Sequence, residues 1–268
     1  MFGLQRWQVE NTVKLIDEGN TIPFIARYRK EAHGTLDDQV LRELSEKLEY
    51  LRNLDKRREE ISASITAQEK MTPEIEAALE KASTLAEIED IYRPFRPKRR
   101  TRASIAKEKG LEPLADAIFA QVADSASPTE LAADYIDAEK GVETAEDAIN
   151  GAMDIIAENI SDDADIRRRL RSLFTVAGVL QSRAADSEKE SVYTMYYEYD
   201  EPVNKIAGHR VLAVNRGENE GFLKVGIDVD RIKALNIINA NVLSDNGSAC
   251  TDTVRDAAAD AYDRLIFP

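Results

Sequence analysis

Apolar side chains that recur every three or four residues are the feature that most restricts how this chain can fold. The clearest run comprises Val40, Leu44, Leu48, Leu51 and Leu54. That spacing places the side chains on one face of an α-helix. The sequence then stays compatible with a helix to about Gln68. We therefore expect one long amphipathic helix in the first third of the chain and a mainly α fold around it.

Helix start signals recur along the first two thirds of the chain. Each begins with a side chain that can cap a helix N-terminus. This residue is followed either by a proline within three positions or by an acidic residue at the third position. These signals lie at Asn20–Pro23, Thr35–Asp38, Thr72–Pro73, Thr84–Glu87 and Ser127–Glu130. No fixed internal period of about 20–50 residues links them, so a regular solenoid is not expected. The sequence predicts a multi-helix array with short loops.

The composition changes near residue 190, where aromatic and β-branched residues become frequent. The stretch SVYTMYYEYD at residues 191–200 is typical of a strand. Val211–Val214 and Phe222–Val229 are two further β-rich runs, separated by a glycine-bearing turn at Gly217–Gly221. We predict a small β-hairpin near residues 209–229. The same change predicts a helical domain at 1–190 and a mixed hairpin and helix segment at 191–268.

Residues that could carry catalysis are scarce. The 268-residue chain contains two histidines, His33 and His209, and one cysteine, Cys250. These three residues cannot supply a zinc cluster of the usual ligand spacing. Neither GxxxxGK[ST] nor GxGxxG occurs, so the usual phosphate-cradling loops are absent. We expect both histidines to be structural, and the chain to have no enzymatic activity, no metal and no cofactor.

The sequence also bears on the compartment. No apolar run approaches the ~18 residues of a membrane span. The start, MFGLQRWQVENTV, lacks the apolar stretch of a secretory signal. A single cysteine fits a reducing environment. We expect a cytoplasmic protein with no membrane partner.

The formal net charge of −14 is unevenly spread along the chain. Residues 1–110 hold 21 Lys and Arg against 20 Asp and Glu, so the acidic excess lies in the remainder. The segment Ile91–Arg102, IYRPFRPKRRTR, concentrates six cations without an acid, and is here called the basic strap. Its cations are Arg93, Arg96, Lys98, Arg99, Arg100 and Arg102. Because Pro94 and Pro97 disfavour helix, we predict an extended, exposed segment.

The basic strap has the composition of a phosphate-binding surface. Arginine suits phosphate because its planar fork donates two hydrogen bonds at once. Tyr92 and Phe95 interleave with the arginines and are candidates for stacking on bases. A second set of cations, Arg27, Arg29 and Lys30, surrounds Tyr28 and is here called the N-terminal basic cluster. A third run lies at Arg167–Arg171, directly after several acids.

Each of these groups also has a structural interpretation. The strap can pair with carboxylates of the same chain or with a protein partner. Its local sequence favours neither this interpretation nor nucleic-acid binding over the other. Tyr92 and Phe95 can anchor the strap to the helical core. The pattern favours a structural role for the N-terminal basic cluster. It also favours a solvated or salt-bridged helix face for Arg167–Arg171.

Three long and unusual strings occur in order along the chain. They are NTIPFIARYRKE at Asn20–Glu31, IYRPFRPKRRTRASIAKEKGLEPLAD at Ile91–Asp116 and HRVLAVNRGENEGFLKV at His209–Val225. These strings resemble the N-terminal region of the bacterial Tex family of transcription accessory proteins, which is similar to a eukaryotic transcription elongation factor. The resemblance runs along nearly the whole chain and is far more specific than any short motif.

The resemblance implies a multidomain nucleic-acid-binding protein built around a long helical scaffold. It implies a helix-turn-helix-like element in the N-terminal helical region. An RNase-H-like domain of the YqgF type, helix-hairpin-helix elements and an OB-fold RNA-binding domain are expected to follow. We expect this chain to end about where the RNase-H-like domain begins, and so to be a fragment that lacks those domains.

The leading functional hypothesis is a non-enzymatic scaffold that binds RNA or DNA. The basic strap would contact the phosphate backbone, with the N-terminal basic cluster as an additional surface, so low sequence specificity is expected. The alternative is a docking module without direct nucleic-acid contact. Its partners would be the domains that this chain lacks, RNA polymerase or the ribosome.

Overall fold

The computed structural model describes residues 3–97 and 99–268, so Lys98 of the basic strap lies outside the described residues. The chain divides into two compact units, Met1–Tyr92 and Arg93–Pro268. The sequence had instead suggested a division at residue 190. The structure does not divide the chain at residue 190, because the sheet of the second unit joins strands from both sides of that residue.

The N-terminal unit is built from helices throughout its described residues. They are α1 (Arg6–Asp17), α2 (Ile22–Tyr28), α3 (Lys30–His33), α4 (Asp38–Ala67), α5 (Pro73–Lys81) and α6 (Leu85–Tyr92). The 30-residue α4 confirms the long helix expected from the apolar spacing, and its C-terminal cap is Gln68.

One apolar cluster of this unit forms where α1, α2 and α4 meet. Leu15, Ile25 and Leu41 are buried together there. His33 is fully buried beside them. Its Nδ1 accepts a hydrogen bond from the Leu36 amide at 3.0 Å, and its Nε2 lies 3.2 Å from the Ile25 carbonyl oxygen. Both ring nitrogens are therefore used to hold α3 in place, as expected of a structural histidine.

Most of the predicted helix starts are confirmed by their hydrogen bonds. The Thr72 side chain caps α5. Thr84 and Glu87 bond reciprocally at the start of α6, and Ser127 and Glu130 form a capping box at the start of a later helix. These bonds occupy backbone N–H groups that have no partner within the first helical turn.

The predicted capping box at Thr35–Asp38 is wrong. Gly34 and Thr35 both adopt left-handed φ angles, of 67° and 59°, and their amides bond to the Lys30 carbonyl at 2.9 and 3.2 Å. Thr35 therefore terminates α3 instead of starting α4, whose first turn is capped by Asp37. The Trp7 ring lies against Gly34, where an added Cβ would approach Trp7 Cη2 to 2.7 Å.

The second unit contains helices and one small sheet. Its helices are α7 (Arg102–Glu108), α8 (Glu112–Ala120), α9 (Pro128–Ala132), α10 (Ala145–Asp162), α11 (Ala164–Ala177), α12 (Gly208–Asn219), α13 (Arg231–Val242) and α14 (Thr251–Asp260). Its strands are β1 (Val179–Ala184), β2 (Glu198–Pro202) and β3 (Leu223–Asp228). A π-helical turn, Ala261–Ile266, extends α14.

Helix α10 forms the centre of the second unit, in contact with α7, α8, α9 and α14. Its inward residues have 0–1% exposure and include Ala148, Ala152, Ile155, Ile156 and Ile160. Small side chains let neighbouring helices approach closely. A Cβ added at Gly151 would overlap the Leu111 side chain. The lone Cys250 is also fully buried in this core.

The sheet is antiparallel with strand order β2-β1-β3. Leu180 and Ser182 of β1 point to the buried face, where Leu180 lies opposite Glu201 on one side and Ile227 on the other. Together with Val214 of α12, Leu180 and Leu223 belong to a second apolar cluster in this unit.

The mainly α fold is confirmed, but the hairpin predicted near residues 209–229 is wrong. Val211–Val214 lies inside α12, and only Phe222–Val229 contains a strand, β3, which pairs with β1. Val214 and Gly217 are buried three residues apart on one face of α12, which is helical spacing. Packing on the sheet thus outweighs the strand preference of the valines. The predicted turn is the C-terminal end of this helix, where Gly221 has a φ of 77°.

Two features are absent from the described residues. Within residues 3–97 and 99–268, no helix is both long and apolar enough to cross a membrane. The same part of the chain holds no group of three or more His, Cys, Asp or Glu placed to bind a metal ion.

Candidate nucleic-acid interface

The basic strap is helical at both of its ends. Helix α6 continues into its first residues, Arg93–Phe95 forms a 3₁₀ turn, and Arg102 already belongs to α7. Thr101 starts α7, because its hydroxyl accepts from the Ser104 amide at 3.0 Å while the Ser104 hydroxyl accepts from the Thr101 amide at 2.8 Å. The prediction of a fully extended segment is therefore wrong at both ends. A 3₁₀ turn tolerates proline because its φ is close to the value that the proline ring fixes.

The first cation of the strap is held by a carboxylate of α10. Arg93 Nε donates to Asp162 Oδ1 at 3.0 Å, and the Asp162 side chain is only 9% exposed. Removing one member of such a pair leaves the other charge poorly solvated. Arg93 therefore fastens the strap to its own unit, as the structural interpretation anticipated for the strap.

Further along the strap, the cations that the structure describes face solvent. Arg96, Arg99 and Arg100 are all exposed. Arg100 Nη2 lies 3.3 Å from Glu108 Oε2, with the two side chains 71% and 63% exposed. An ion pair this open contributes only about 0–1 kcal/mol, so a phosphate can compete with Glu108 for the guanidinium group.

Arg102 is also exposed and lies in a more complex electrostatic setting. It lines a cavity of about 250 Å³ together with Lys109 and Asp154. Burial raises the pKa of Asp154, and the positive charges of Arg264 and Arg102 oppose that rise. Arg264 Nη2 donates to Asp154 Oδ1 at 2.8 Å. Arg264 is thus the direct partner of this carboxylate, and Arg102 acts on it through its charge.

The aromatic residues of the strap are half-buried. The Tyr92 hydroxyl lies 3.1 Å from Ser64 Oγ, and the guanidinium carbon of Arg57 lies 5.7 Å from the centre of its ring. Phe95 is half-buried in the 3₁₀ turn. Tyr92 thus anchors the end of α6 to α4, which is the common structural use of such a residue. Base stacking by Tyr92 and Phe95 stays a prediction.

The N-terminal basic cluster lies where α2 meets α3, and Arg27, Arg29 and Lys30 are all exposed. The guanidinium carbon of Arg29 lies 5.8 Å from the centre of the Phe24 ring. The same side chain is 3.9 Å from Glu31, a distant and exposed pair. These contacts leave three positive charges around one end of α2.

A family model described as Tex central region-like matches residues 123–262, which is over half of the chain. The chain belongs to the Tex family. A second model, Tex-like protein N-terminal domain, matches residues 1–66. The resemblance first noticed in three strings of sequence is thereby confirmed.

Several known proteins are similar to most of this chain. Protein tex of Bordetella pertussis is 44% identical over 232 residues, which are 85% of this chain and 29% of that protein. Transcriptional accessory protein Tex of Neisseria gonorrhoeae is 40% identical over 225 residues, 82% of this chain and 29% of that protein. S1 RNA-binding domain-containing protein 1 of Homo sapiens is 30% identical over 235 residues, 84% and 23% respectively. The chain thus spans less than a third of the length of these relatives.

Two of the three basic groups fall within the residues matched by the Tex family models. The N-terminal basic cluster falls within the match to residues 1–66, and Arg167–Arg171 falls within the match to 123–262. The basic strap lies between the two matched ranges. On α11, Arg168 and Arg169 both pair with Asp165, which confirms the salt-bridged helix face expected for that run.

Sequence reasoning missed one surface residue in this Tex chain. Phe24 is 38% exposed and its ring lies 5.3 Å from that of Tyr28, measured between centroids. The signal was present in PFIARY, where Phe24 and Tyr28 are four residues apart and so share a helix face. Ile25 of the same helix is fully buried, whereas both aromatic side chains are exposed.

Proposed function

We propose that this Tex-family chain is a non-enzymatic, nucleic-acid-binding scaffold region of a cytoplasmic transcription accessory protein. The observation that carries the proposal is the row of solvent-facing cations at Arg99, Arg100 and Arg102, between a 3₁₀ turn fastened by Arg93 and the start of α7. The name of the Neisseria gonorrhoeae relative supports a role in transcription, and that of the human relative is consistent with RNA as a ligand.

The mechanism that we propose is electrostatic. The exposed arginines displace counterions from phosphates and leave the base edges unread, so affinity depends on salt and hardly on sequence. Arg93 does not take part, because Asp162 already engages it. Its role is to set the direction in which the following arginines leave the helical unit. A helix-turn-helix-like element in the N-terminal unit is part of the same proposal.

Binding to labelled single-stranded RNA and duplex DNA over a salt series tests the proposal. The strap variant carries Arg99→Ala, Arg100→Ala and Arg102→Ala. Three phosphate contacts on a single strand correspond to a slope of log affinity against log salt of about −2. We expect the variant to lose about that much slope and most of its low-salt affinity.

The matched control removes three arginines from α11, through Arg168→Ala, Arg169→Ala and Arg171→Ala. It changes the net charge equally, but at least two of these side chains are already paired with Asp165. We expect the control to bind nearly as the parent chain does. Equal losses in both variants would mean that only overall charge matters and would remove the strap from the mechanism.

The second candidate function is docking to protein, either to other parts of a longer Tex protein or to RNA polymerase or the ribosome. The Arg93–Asp162 pair supports it, because there a strap cation is engaged by a carboxylate of the protein and not left open to a phosphate. Absence of binding to any nucleic acid at low salt, with the fold intact, would favour this function over the first.

A further inference from the structure

An exposed pair of aromatic rings lies on the outer face of α2. Tyr28 is 60% exposed and Phe24 is 38% exposed. Their ring centroids are 5.3 Å apart at an interplanar angle of 45°. Ile25 of the same helix is fully buried, which anchors α2 to the core, and the Arg29 guanidinium lies over the Phe24 ring. Tyr28 thus presents an open ring on a fixed support.

The surroundings of this ring pair are positively charged. Arg27, Arg29 and Lys30 are exposed within two residues of Tyr28, and Glu31 is the nearest acid in the sequence. These cations are close together although the chain as a whole has a net charge of −14. An apolar protein partner would not need three cations, and a free phosphate would not need the ring. A single-stranded nucleic acid uses both, since its bases stack and its phosphates are anionic.

We propose that Tyr28, supported by Phe24, is a stacking platform for one base of a single-stranded nucleic acid whose phosphates lie against Arg27, Arg29 and Lys30. The inference rests on the proposed function, because it takes nucleic acid as the ligand. It goes beyond that function by assigning a base contact. Tyr92, by contrast, has its hydroxyl near Ser64 and its ring beside Arg57.

The geometry sets the kind of strand that binds. A base can lie on Tyr28 only when it is unstacked from its neighbours, which a duplex does not permit without cost. Every base has a flat face, so the platform discriminates little among sequences. It follows that the N-terminal unit prefers single strands, whereas the strap binds phosphates of either form.

The decisive experiment compares an unstructured single-stranded oligonucleotide with an abasic strand of the same length and phosphate number. The intact 268-residue chain should bind the normal strand about tenfold more tightly than the abasic one, as expected for one stacked base. Tyr28→Ala should abolish that difference by weakening binding of the normal strand only. Tyr28→Phe keeps the ring and should retain it.

The matched control is Tyr50→Ala, which removes a tyrosine of α4 whose ring also has a cation beside it, Lys47 at 4.6 Å. It should leave the preference for the normal strand intact. Equal affinity of the parent chain for both strands would overturn the platform and leave phosphate binding by the strap standing. A preference that survives Tyr28→Ala would also overturn it. No binding of either strand at low salt would overturn the platform together with the proposed function.

Discussion

Two glycines in this chain matter for the space that they leave empty. A Cβ at Gly151 would overlap Leu111 Cδ1, and one at Gly217 would come within 2.6 Å of Leu223 Cδ1. Neither glycine has a positive φ, so their backbone conformation is open to other residues. Each lets a neighbouring leucine reach the surface of a helix. The close approach of α8 to α10, and of β3 to α12, depends on these positions.

Gly151→Ala should therefore destabilise the second unit, although alanine is normally the better helix residue. Overpacking a dense core costs about 1–3 kcal/mol, which exceeds the roughly 0.5–1 kcal/mol gained by replacing glycine in a helix. The free energy of unfolding in urea measures the change. Gly208→Ala is the matched control, because nothing lies within 4 Å of its added Cβ. A stabilised Gly151→Ala variant would contradict this account of the packing.

At the scale of elements, the start of α10 is capped by a reciprocal contact between Thr144 and Asp147. The Asp147 carboxylate accepts from the Thr144 hydroxyl at 2.8 Å and from the Thr144 amide at 3.0 Å, while Thr144 Oγ1 accepts from the Asp147 amide at 3.1 Å. Hydrogen bonds from the Thr144 side chain and backbone lower the pKa of Asp147 from its ordinary value of 3.8. Because α10 is the centre of its unit, this cap affects the whole unit.

Asp147→Asn should make the second unit less sensitive to acid. A carboxyl whose pKa is lowered on folding contributes stability that is present above its ordinary value and is lost as the pH falls below it. The melting temperature of the parent chain should therefore fall more steeply below about pH 4 than that of the variant. Glu146→Gln, which changes an adjacent acid outside the capping box, serves as the control. Parallel curves for all three proteins would contradict the prediction.

Elements with their own local signals were the predictable part of this fold. The length of α4 follows from its apolar spacing, and the caps at Thr72 and Ser127 follow from side chains that bond within one turn. Helix α12 could not be predicted, because its valines favour a strand and the partner of β3 lies some forty residues earlier in β1. Contacts between distant segments leave no such local signal.

The candidate site shows the same limit at the level of side chains. The sequence placed the cations of the strap, but it could not separate Arg93, which bonds to Asp162, from Arg100, whose carboxylate partner is exposed. Arg93 and Arg100 differ in the burial of their carboxylate partners, which come from other parts of the chain. Likewise, local sequence does not separate buried Ile25 from exposed Phe24 and Tyr28 on the same short helix.

At the scale of the whole molecule, the strap is where the chain passes from one compact unit to the next. Limited trypsin digestion should cut first after Arg99 or Arg100, since both are exposed and lie between helices. The bonds after Arg93 and Arg96 precede proline and resist trypsin. Mass spectrometry should find two fragments that meet near residue 100, and bound nucleic acid should slow this cut. First cleavage within α4 or α10 would contradict the division.

The chain has one tryptophan and one cysteine. The tryptophan belongs to the first unit and the cysteine to the second. Trp7 lies against Gly34 in the first unit, and Cys250 is fully buried in the second. Tryptophan fluorescence therefore reports the melting of the first unit, while the reaction rate of the thiol with a water-soluble disulfide reagent reports the opening of the second. Each unit carries its own natural probe, so their stabilities can be measured separately without an engineered residue.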